Sequence, residues 1–488
     1  MGRVRRLDHR RERQHGRRRG AGDPIDLCAA PEGAPFRFLV LGFSLDGDRL
    51  EGREGDTVAS ALLRAGVTTF TRSIKFHRPR GPFCLSGSCG QCLMRVDGVP
   101  SLPACRVRLR EGMRCARQNA PLGADADLLR AADFLFPEGL DHHHLLVGSR
   151  LLGRVALEVA RRLAGLGQLP DEAQPPLAGT LRKEQIVVVG GGPAGVSAAL
   201  AAARRGARVL LLERDTRLGG AALLGIDADA PGAEWVDEHS RALASADVEV
   251  VLDAEAIGLY PNDAAAAPGK PALLAFRRPA AVVAVVADAV VVATGGVSQP
   301  LPFPGVDRPG VYAARGLLAL ALHRGVRAGE RLCVVGEGSE LIGCARALRR
   351  AGYDLARVVD ASGAWPLPSG SAVPESAPDL AILRARELRA RGNPVKELRA
   401  GDEAIACDAV AVALPPAPLH ELASEAGAQA RFSEELGGFP VGTDASGRTS
   451  VPWLFAAGRA AGAGGARAAD SGTRAGVGAA DAVGARRP

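Results

Sequence analysis

The spacing of apolar positions changes several times along the chain, and each change marks an element. From Phe36 to Leu50, two short alternating runs flank Asp46-Gly47, a dipeptide suited to the left-handed backbone of a tight hairpin. Asp56 or Thr57 then caps a helix in which Val58, Leu62 and Leu63 recur at helical spacing and which stops at Gly66. A strand returning from Leu93 to Val99 completes a small α+β unit of the β-grasp kind over 35–120. Asp125 to Asp171 reads as a helical linker (121–183): Leu152, Ala156, Val159 and Leu163 recur at one-turn spacing, with Arg154, Arg161 and Arg162 outward.

At Glu184 the pattern becomes strand, glycine loop, alanine-rich helix, strand: QIVVVGGGPAGVSAALAAARRGARVLLLERD. The same order returns at Arg331, and strands running into glycine turns appear at Ala289–Gly296 and Thr449–Gly458. The predicted class is α/β, with a Rossmann-like domain in two parts (184–300 and 431–488) interrupted by a second nucleotide-type domain (301–430).

Composition changes this picture little. With 488 residues, 47% hydrophobic and 24% charged, the chain is ordinary for a protein of about three domains. The net charge of +7 comes from the start of a tail over residues 1–34: Met1 to Gly20 holds nine Arg against Asp8 and Glu12, so the 468 residues after Gly20 sum to zero. The expectation is a basic disordered tail, no nucleic-acid partner and a cytoplasmic protein. No apolar signal region follows the tail, and the longest apolar run, Pro279 to Gly296, is broken by Asp288, so no membrane span is expected. Asp141 and His142 to His144 are consecutive and point in different directions, which suits a metal poorly.

Of the nine cysteines, Cys28, Cys115, Cys333, Cys344 and Cys407 are scattered. Cys84, Cys89, Cys92 and Cys105 stand at C-x4-C-x2-C-x12-C, whose first part is the plant-type [2Fe-2S] spacing. Gly87 and Gly90 let the backbone bend round a cluster. A structural zinc would want two CxxC-like pairs, and only Cys89 and Cys92 form one. The basic lead Lys75, His77, Arg78 and Arg80 either raises the cluster's potential and offers a docking face, or simply contacts a neighbouring domain. The second half of the chain has no CxxC, which argues against a dithiol mechanism.

In GGGPAG, Gly190 makes the tight turn, Gly192 admits a pyrophosphate and Gly195 lets helix and sheet pack, with Pro193 and Ala194 opening the helix. The helix N-terminus faces the phosphates. Glu213, 23 residues past Gly190, is placed to accept ribose hydroxyls, and Gly220 is a candidate for close approach to a flavin. The second loop has Gly336 and Gly338 but Leu341 at the third glycine position, which would hold helix and sheet apart. Asp360, 24 residues past Gly336, keeps NAD(H) as a candidate beside an ancestral fold that no longer binds.

Ala289–Gly296, with Thr294 and Gly295, and TSVPWLFAAG, ending at Gly458, resemble the second and third FAD fingerprints of the two-dinucleotide-binding flavoproteins. With FHRPRG, the cysteine loop and GGGPAG with Glu213, the chain from about Phe36 resembles the α subunit of heteromeric sarcosine oxidases and related opine, proline and cyanide-forming glycine dehydrogenases. The resemblance implies FAD, a [2Fe-2S] cluster, and an electron-transferring oxidoreductase subunit whose amine or imino acid oxidation lies on a flavin-containing β chain, with a further electron acceptor. The alternatives are a stand-alone NADH:acceptor reductase and a non-catalytic assembly subunit. Up to Pro488 no folate-type aminomethyl domain is implied. Arg459 departs from the superfamily, which has an Asp at the ribityl chain, and is expected to pair with the pyrophosphate instead.

Overall fold

The computed structural model describes residues 39–73, 78–118, 153–154, 176–227, 230–262, 270–279, 281–362 and 377–484. The basic tail with Cys28, Lys75 and His77, the Asp141 to His144 run and nearly all of the linker lie outside them.

The first domain is a five-stranded sheet in the order Asp48–Arg53, Val40–Leu45, Arg114–Ala116, Leu93–Val96, Val99–Pro103. Val40–Leu45 and Arg114–Ala116 run parallel and the outer pairs antiparallel, the β-grasp arrangement. The helix Val58–Arg64 is capped by Thr57 in a reciprocal box with Ser60, and Val58, Leu62 and Leu63 enter the core. The sequence reading took Leu93 to Val99 as one strand. It is a hairpin, because Asp97 (φ 48°) and Gly98 (φ 82°) turn the chain just as Asp46 and Gly47 do.

The second domain is built on a seven-stranded sheet. Val248–Val251, Val209–Leu212, Ala178–Val189 and Ala281–Val292 run parallel, Ala272–Arg278 and Glu255–Pro261 extend the sheet antiparallel, and Leu454–Ala456 pairs with Ala281–Val292. The apolar run that looked longest in the sequence is thus a central strand, and its side chains from Val285 to Val292, Asp288 apart, are buried. The helices Pro193–Arg204 and Arg467–Gly484 pack closely over one face. A Cβ at Gly472 would stand 2.0 Å from the carbonyl oxygen of Ala194, and one at Gly476 would stand 2.2 Å from that of Ala198.

The inserted domain is a parallel sheet in the order Val311–Ala313, Ala409–Ala413, Arg331–Gly336, Asp354–Asp360, Ile382–Arg384, with a three-stranded antiparallel flap (388–406). The chain enters at Gly296–Val297 and leaves at Ala417–Pro418, two strands paired antiparallel as the crossing between domains. The sequence reading carried the insert to residue 430. Leu422, Ala423, Ala426 and Ala428 instead pack with Val187, Leu259 and Leu454 of the second domain, because Glu421–Glu425 turns its apolar side to that sheet.

The cluster domain rests on the inserted domain. Ala313 donates its N–H to the carbonyl of Phe83 at 2.9 Å, and a Cβ at Gly316 would meet the carbonyl oxygen of Cys84 at 2.5 Å. Arg64 donates to the carbonyl oxygens of Arg324 (2.8 Å) and Gly325 (3.4 Å).

Gly476→Ala tests the helix packing. In an open helix the change stabilises by roughly 0.5–1 kcal/mol. Here it should destabilise by about 1–3 kcal/mol, seen as a lower denaturant midpoint, because the added methyl meets backbone. An unchanged or higher midpoint would show that the helices are not so closely packed.

Candidate cluster and dinucleotide sites

The loop from Phe83 to Cys92 is held by left-handed turns at Leu85 (φ 53°), Gly87 (φ 88°) and Gly90 (φ 64°). Glycine is required at Gly87, where a Cβ would meet Arg106 Cγ at 2.7 Å. The N–H groups of Ser86 and Ser88 donate to Cys84 Sγ at 3.4 and 3.3 Å. Cys84, Cys92 and Cys105 are buried and Cys89 is half-buried. The thiols meet in series, Cys89 with Cys84, Cys84 with Cys105 and Cys105 with Cys92: hydrogen bonds from Cys105 and Cys89 lower the pKa of Cys84, a hydrogen bond from Cys105 lowers that of Cys92, and Cys89 and Cys105 are raised in return. Four mutually contacting thiols are a donor set that fits an iron-sulfur cluster. Among the described residues, no group of three or more His, Cys, Asp or Glu side chains is placed to hold one metal ion.

Of the basic lead, Arg78 and Arg80 lie in the described residues. Arg78 lies 3.8 Å from Asp307 with 62% of its side chain open to solvent, and a Cβ at Gly81 would meet Pro309 Cα at 3.3 Å, so this stretch touches the inserted domain while Arg78 stays exposed.

Gly190 has φ 107°, and a Cβ there would meet the carbonyl oxygen of Ala293 at 2.4 Å; at Gly195 it would stand 1.7 Å from the carbonyl oxygen of Gly190. These two glycines seat the helix Pro193–Arg204 directly on its loop. Nothing lies within 4 Å of the Cβ position at Gly192, which is the open side of the turn. Gly192 is the N-cap, Pro193 is at N1 and no side chain caps the helix, so its first amides are left for a ligand. Gly220 (φ 50°) approaches Gly192 Cα, with its Cβ position 3.3 Å away, and Gly458 (φ 65°) approaches Ala194 Cβ at 2.7 Å. Thr294 Oγ1 donates to the carbonyl of Leu419 at 2.8 Å, bracing the turn at Gly295.

Glu213 is buried. Its Oε2 accepts the N–H of Gly191 at 2.7 Å and its Oε1 that of Asp215 at 2.7 Å. Burial, and then Asp215 close by, push its pKa up, against the pull of those amides. A carboxylate so held has unused lone pairs for hydroxyl donors.

Gly190, Gly192, Pro193, Ala194, Glu213, Gly220, Thr294, Gly295, Gly458 and Arg459 all line one cavity of about 1660 Å³, and Cys84 and Cys105 line it too. That volume exceeds the range of common small-molecule pockets, roughly 300–1,000 Å³, and suits an extended dinucleotide. The open cradle at Gly192, the uncapped helix and the buried acid together fit FAD.

Gly336, Gly338 and Asp360 form a separate place. A Cβ at Gly336 would stand 1.8 Å from the carbonyl oxygen of Ala413, and Gly338 has φ 59°. Leu341 is fully buried, so this helix cannot sit on its loop as closely as the helix at Gly195 does. Asp360 accepts from Ser362 N (3.0 Å) and Oγ (2.5 Å) and lies 3.5 Å from Arg384. Between the two glycines stands Glu337, its pKa raised by burial and by Asp360. The sequence reading passed over it, although an acid inside a phosphate loop is a visible signal.

Arg459 lines the cavity. Its Nε donates to the carbonyl of Pro416 at 2.8 Å, its Cγ lies 3.0 Å from the Cβ position at Gly296, and Nη2 is buried without a protein partner. The side chain ties the last glycine turn to the crossing between domains, where a bare carbonyl draws the guanidinium. Two further features escaped the sequence reading: a half-buried Arg315–Glu340 pair (2.6 and 2.8 Å) lining the cavity, and a bridge from Arg106 to Asp215 (2.8 Å). Both need partners far apart in the chain, so no local pattern announces them.

Fold and site together define a ferredoxin-like cluster module joined to a two-domain dinucleotide oxidoreductase. The chain belongs to the pyridine nucleotide-disulphide oxidoreductase family, whose model matches residues 184–476, and a 2Fe-2S iron-sulfur cluster binding domain matches residues 40–120. Its cofactors are therefore FAD and a 2Fe-2S cluster. It is 32% identical over 342 residues to the alpha subunit of sarcosine oxidase from Rhizobium meliloti (strain 1021), a match covering 66% of this chain and 34% of that protein. It is 27% identical over 321 residues to an opine oxidase subunit of Agrobacterium tumefaciens (strain Ach5), covering 58% and 63%. The chain thus spans about a third of the length of the sarcosine oxidase protein it matches. The crystal structure of L-proline dehydrogenase from P. horikoshii has the same fold, with a TM-score of 0.61 at 20% identity over 89% of this chain and 71% of that one.

Two substitutions separate the sites. Cys89→Ser should remove the visible iron-sulfur bands while FAD stays bound; one zinc and no sulfide in the parent chain would refute the cluster ligands. Glu213→Ala removes charge-assisted hydrogen bonds worth about 1.5–3 kcal/mol, so FAD should bind roughly 10- to 100-fold more weakly in equilibrium dialysis. Unchanged retention would move the ribose away from Glu213.

Proposed function

We propose that this chain is the electron-transferring subunit of a cytoplasmic, heteromeric dehydrogenase acting on an amine or imino acid of the sarcosine, proline, opine or glycine type. The observation that carries the reading is the shared cavity: Cys84 and Cys105 line the same space as the glycine loop and Glu213. FAD is suited to this position because it exchanges electrons in pairs or singly, whereas an iron-sulfur centre exchanges them singly. The chain's own residues bind and orient: Gly192 and the uncapped helix accept the phosphates, Glu213 the ribose, and Ser86 and Ser88 direct N–H groups at a cluster sulfur.

Oxidation of the amine is assigned to a separate flavin-containing chain, as the names of the relatives, each one subunit of an oxidase, suggest. Glu337 stands between Gly336 and Gly338, and Asp360, at the end of the strand that follows, is already engaged by Ser362 and Arg384. We therefore assign the inserted domain to seating the cluster loop and not to NAD(H). Among the described residues no helix is long and apolar enough to cross a membrane.

The test is to assay sarcosine, proline, glycine and opines with the isolated chain and with its co-expressed partner, and to record anaerobic absorbance with each donor. Substrate should bleach the flavin and cluster bands when the partner chain is present, and NADH should not. Robust amine oxidation by the isolated chain would overturn the subunit reading.

A further inference from the structure

Cys105, the last candidate ligand, is followed at once by Arg106, whose side chain leaves the cluster domain. Nη1 donates to Asp215 Oδ1 at 2.8 Å and Nη2 to the carbonyl of Arg214 at 3.2 Å. The N–H of Asp215 donates to Glu213 Oε1, and Glu213 Oε2 accepts from Gly191, each at 2.7 Å. An unbroken series of contacts therefore runs from the residue beside a cluster ligand to the glycine loop.

Both ends of this series are constrained. At the cluster end, the stem of Arg106 backs the turn between Cys84 and Cys89, since a Cβ at Gly87 would meet its Cγ at 2.7 Å. At the other end, Arg108 repeats the grip on Asp253 (3.0 Å), whose N–H donates to the carbonyl of Asp215 at 3.0 Å. Asp215 keeps 49% of its side-chain surface open, but it lines the cavity, where protein surrounds it.

We propose that Arg106 is a positioning residue that couples occupancy of the dinucleotide site at Glu213 to the geometry and potential of the iron-sulfur cluster. The inference rests on the placement of FAD at Glu213 proposed above. A ribose that draws on the Glu213 carboxylate moves the amide of Asp215, Asp215 carries Arg106, and Arg106 carries the turn holding Ser86 and Ser88. Their N–H groups reach Cys84 Sγ at 3.4 and 3.3 Å, and hydrogen bonds to sulfur tune a cluster's potential. A coupling of this kind is reciprocal, so the state of the cluster also alters the affinity for FAD.

The experiment uses the whole chain, with FAD, iron and sulfide quantified first. The midpoint potential and electron paramagnetic resonance line positions of the cluster are then measured with FAD bound and after its removal. The parent chain, Arg106→Lys, Arg106→Gln and Asp215→Asn are compared. In the parent chain, removal of FAD should shift both readouts beyond the scatter of repeat titrations. Arg106→Lys should keep part of the shift. Arg106→Gln and Asp215→Asn should lose it while iron and sulfide stay stoichiometric. Asp215→Asn removes the charge that Arg106 holds, and Asp215→Ala, compared in the same way, removes the acceptor as well; neither touches the cluster domain, so together they decide the matter even where Arg106→Gln folds poorly. The same FAD-dependent shift in both Asp215 variants as in the parent, or no shift in the parent, overturns the coupling. A parent chain that binds no FAD overturns the dinucleotide assignment itself, and the coupling with it.

Discussion

The arrangement of the molecule depends on one buried carboxylate and the backbone around it. Glu213 ends the strand Val209–Leu212 and accepts amides from Gly191 and Asp215, so it closes the glycine loop and anchors the next turn. Removing such a group would orphan two buried N–H donors, a loss dearer than the hydrogen bonds themselves. Around it the backbone is close-packed: Gly195 admits no side chain against Gly190, and Gly458 none against Ala194. The dinucleotide site is therefore formed by backbone, with few side chains free to vary.

The cluster domain is fastened to both other domains. The helix Ala314–Arg324 of the inserted domain sits beneath the cluster loop, where Gly316 makes room for the Cys84 carbonyl. Arg106 and Arg108 grip acids at the ends of two strands of the dinucleotide sheet. Exposed ion pairs contribute little, but these are partly enclosed, carry more than one hydrogen bond each, and act together. Such a clamp holds the cysteine loop against the dinucleotide sheet.

The two nucleotide-type folds in this chain show how little of a binding site lies in the fold itself. Both have a parallel sheet and a glycine turn at its carboxyl edge. In the first, glycine at 191 leaves room for Glu213 to reach the loop amide; a Cβ there would stand 3.0 Å from its Oε2. In the second, Glu337 puts a carboxylate into the loop, and Asp360 is already engaged by Ser362 and Arg384. The first loop leaves Gly192 open, and the second carries an acid between its glycines.

The amino-acid sequence by itself determined the modules and marked the four clustered cysteines and the first glycine loop as candidate sites, because each is a local pattern: a spacing, a period or a turn dipeptide. The same kind of signal was present at Asp97-Gly98 and at Glu337, where it went unread. What only the tertiary structure decided are contacts between distant segments: where the chain crosses back at Ala417–Pro418, the turning of Arg459 toward the Pro416 carbonyl, the Arg315–Glu340 pair, and the bridge from Arg106 to Asp215. Arginine and aspartate are among the commonest surface residues, and their sequence positions carry no mark of a partner. Only the folded chain brings residue 106 beside residue 215, and with them the cysteine loop beside the first glycine loop.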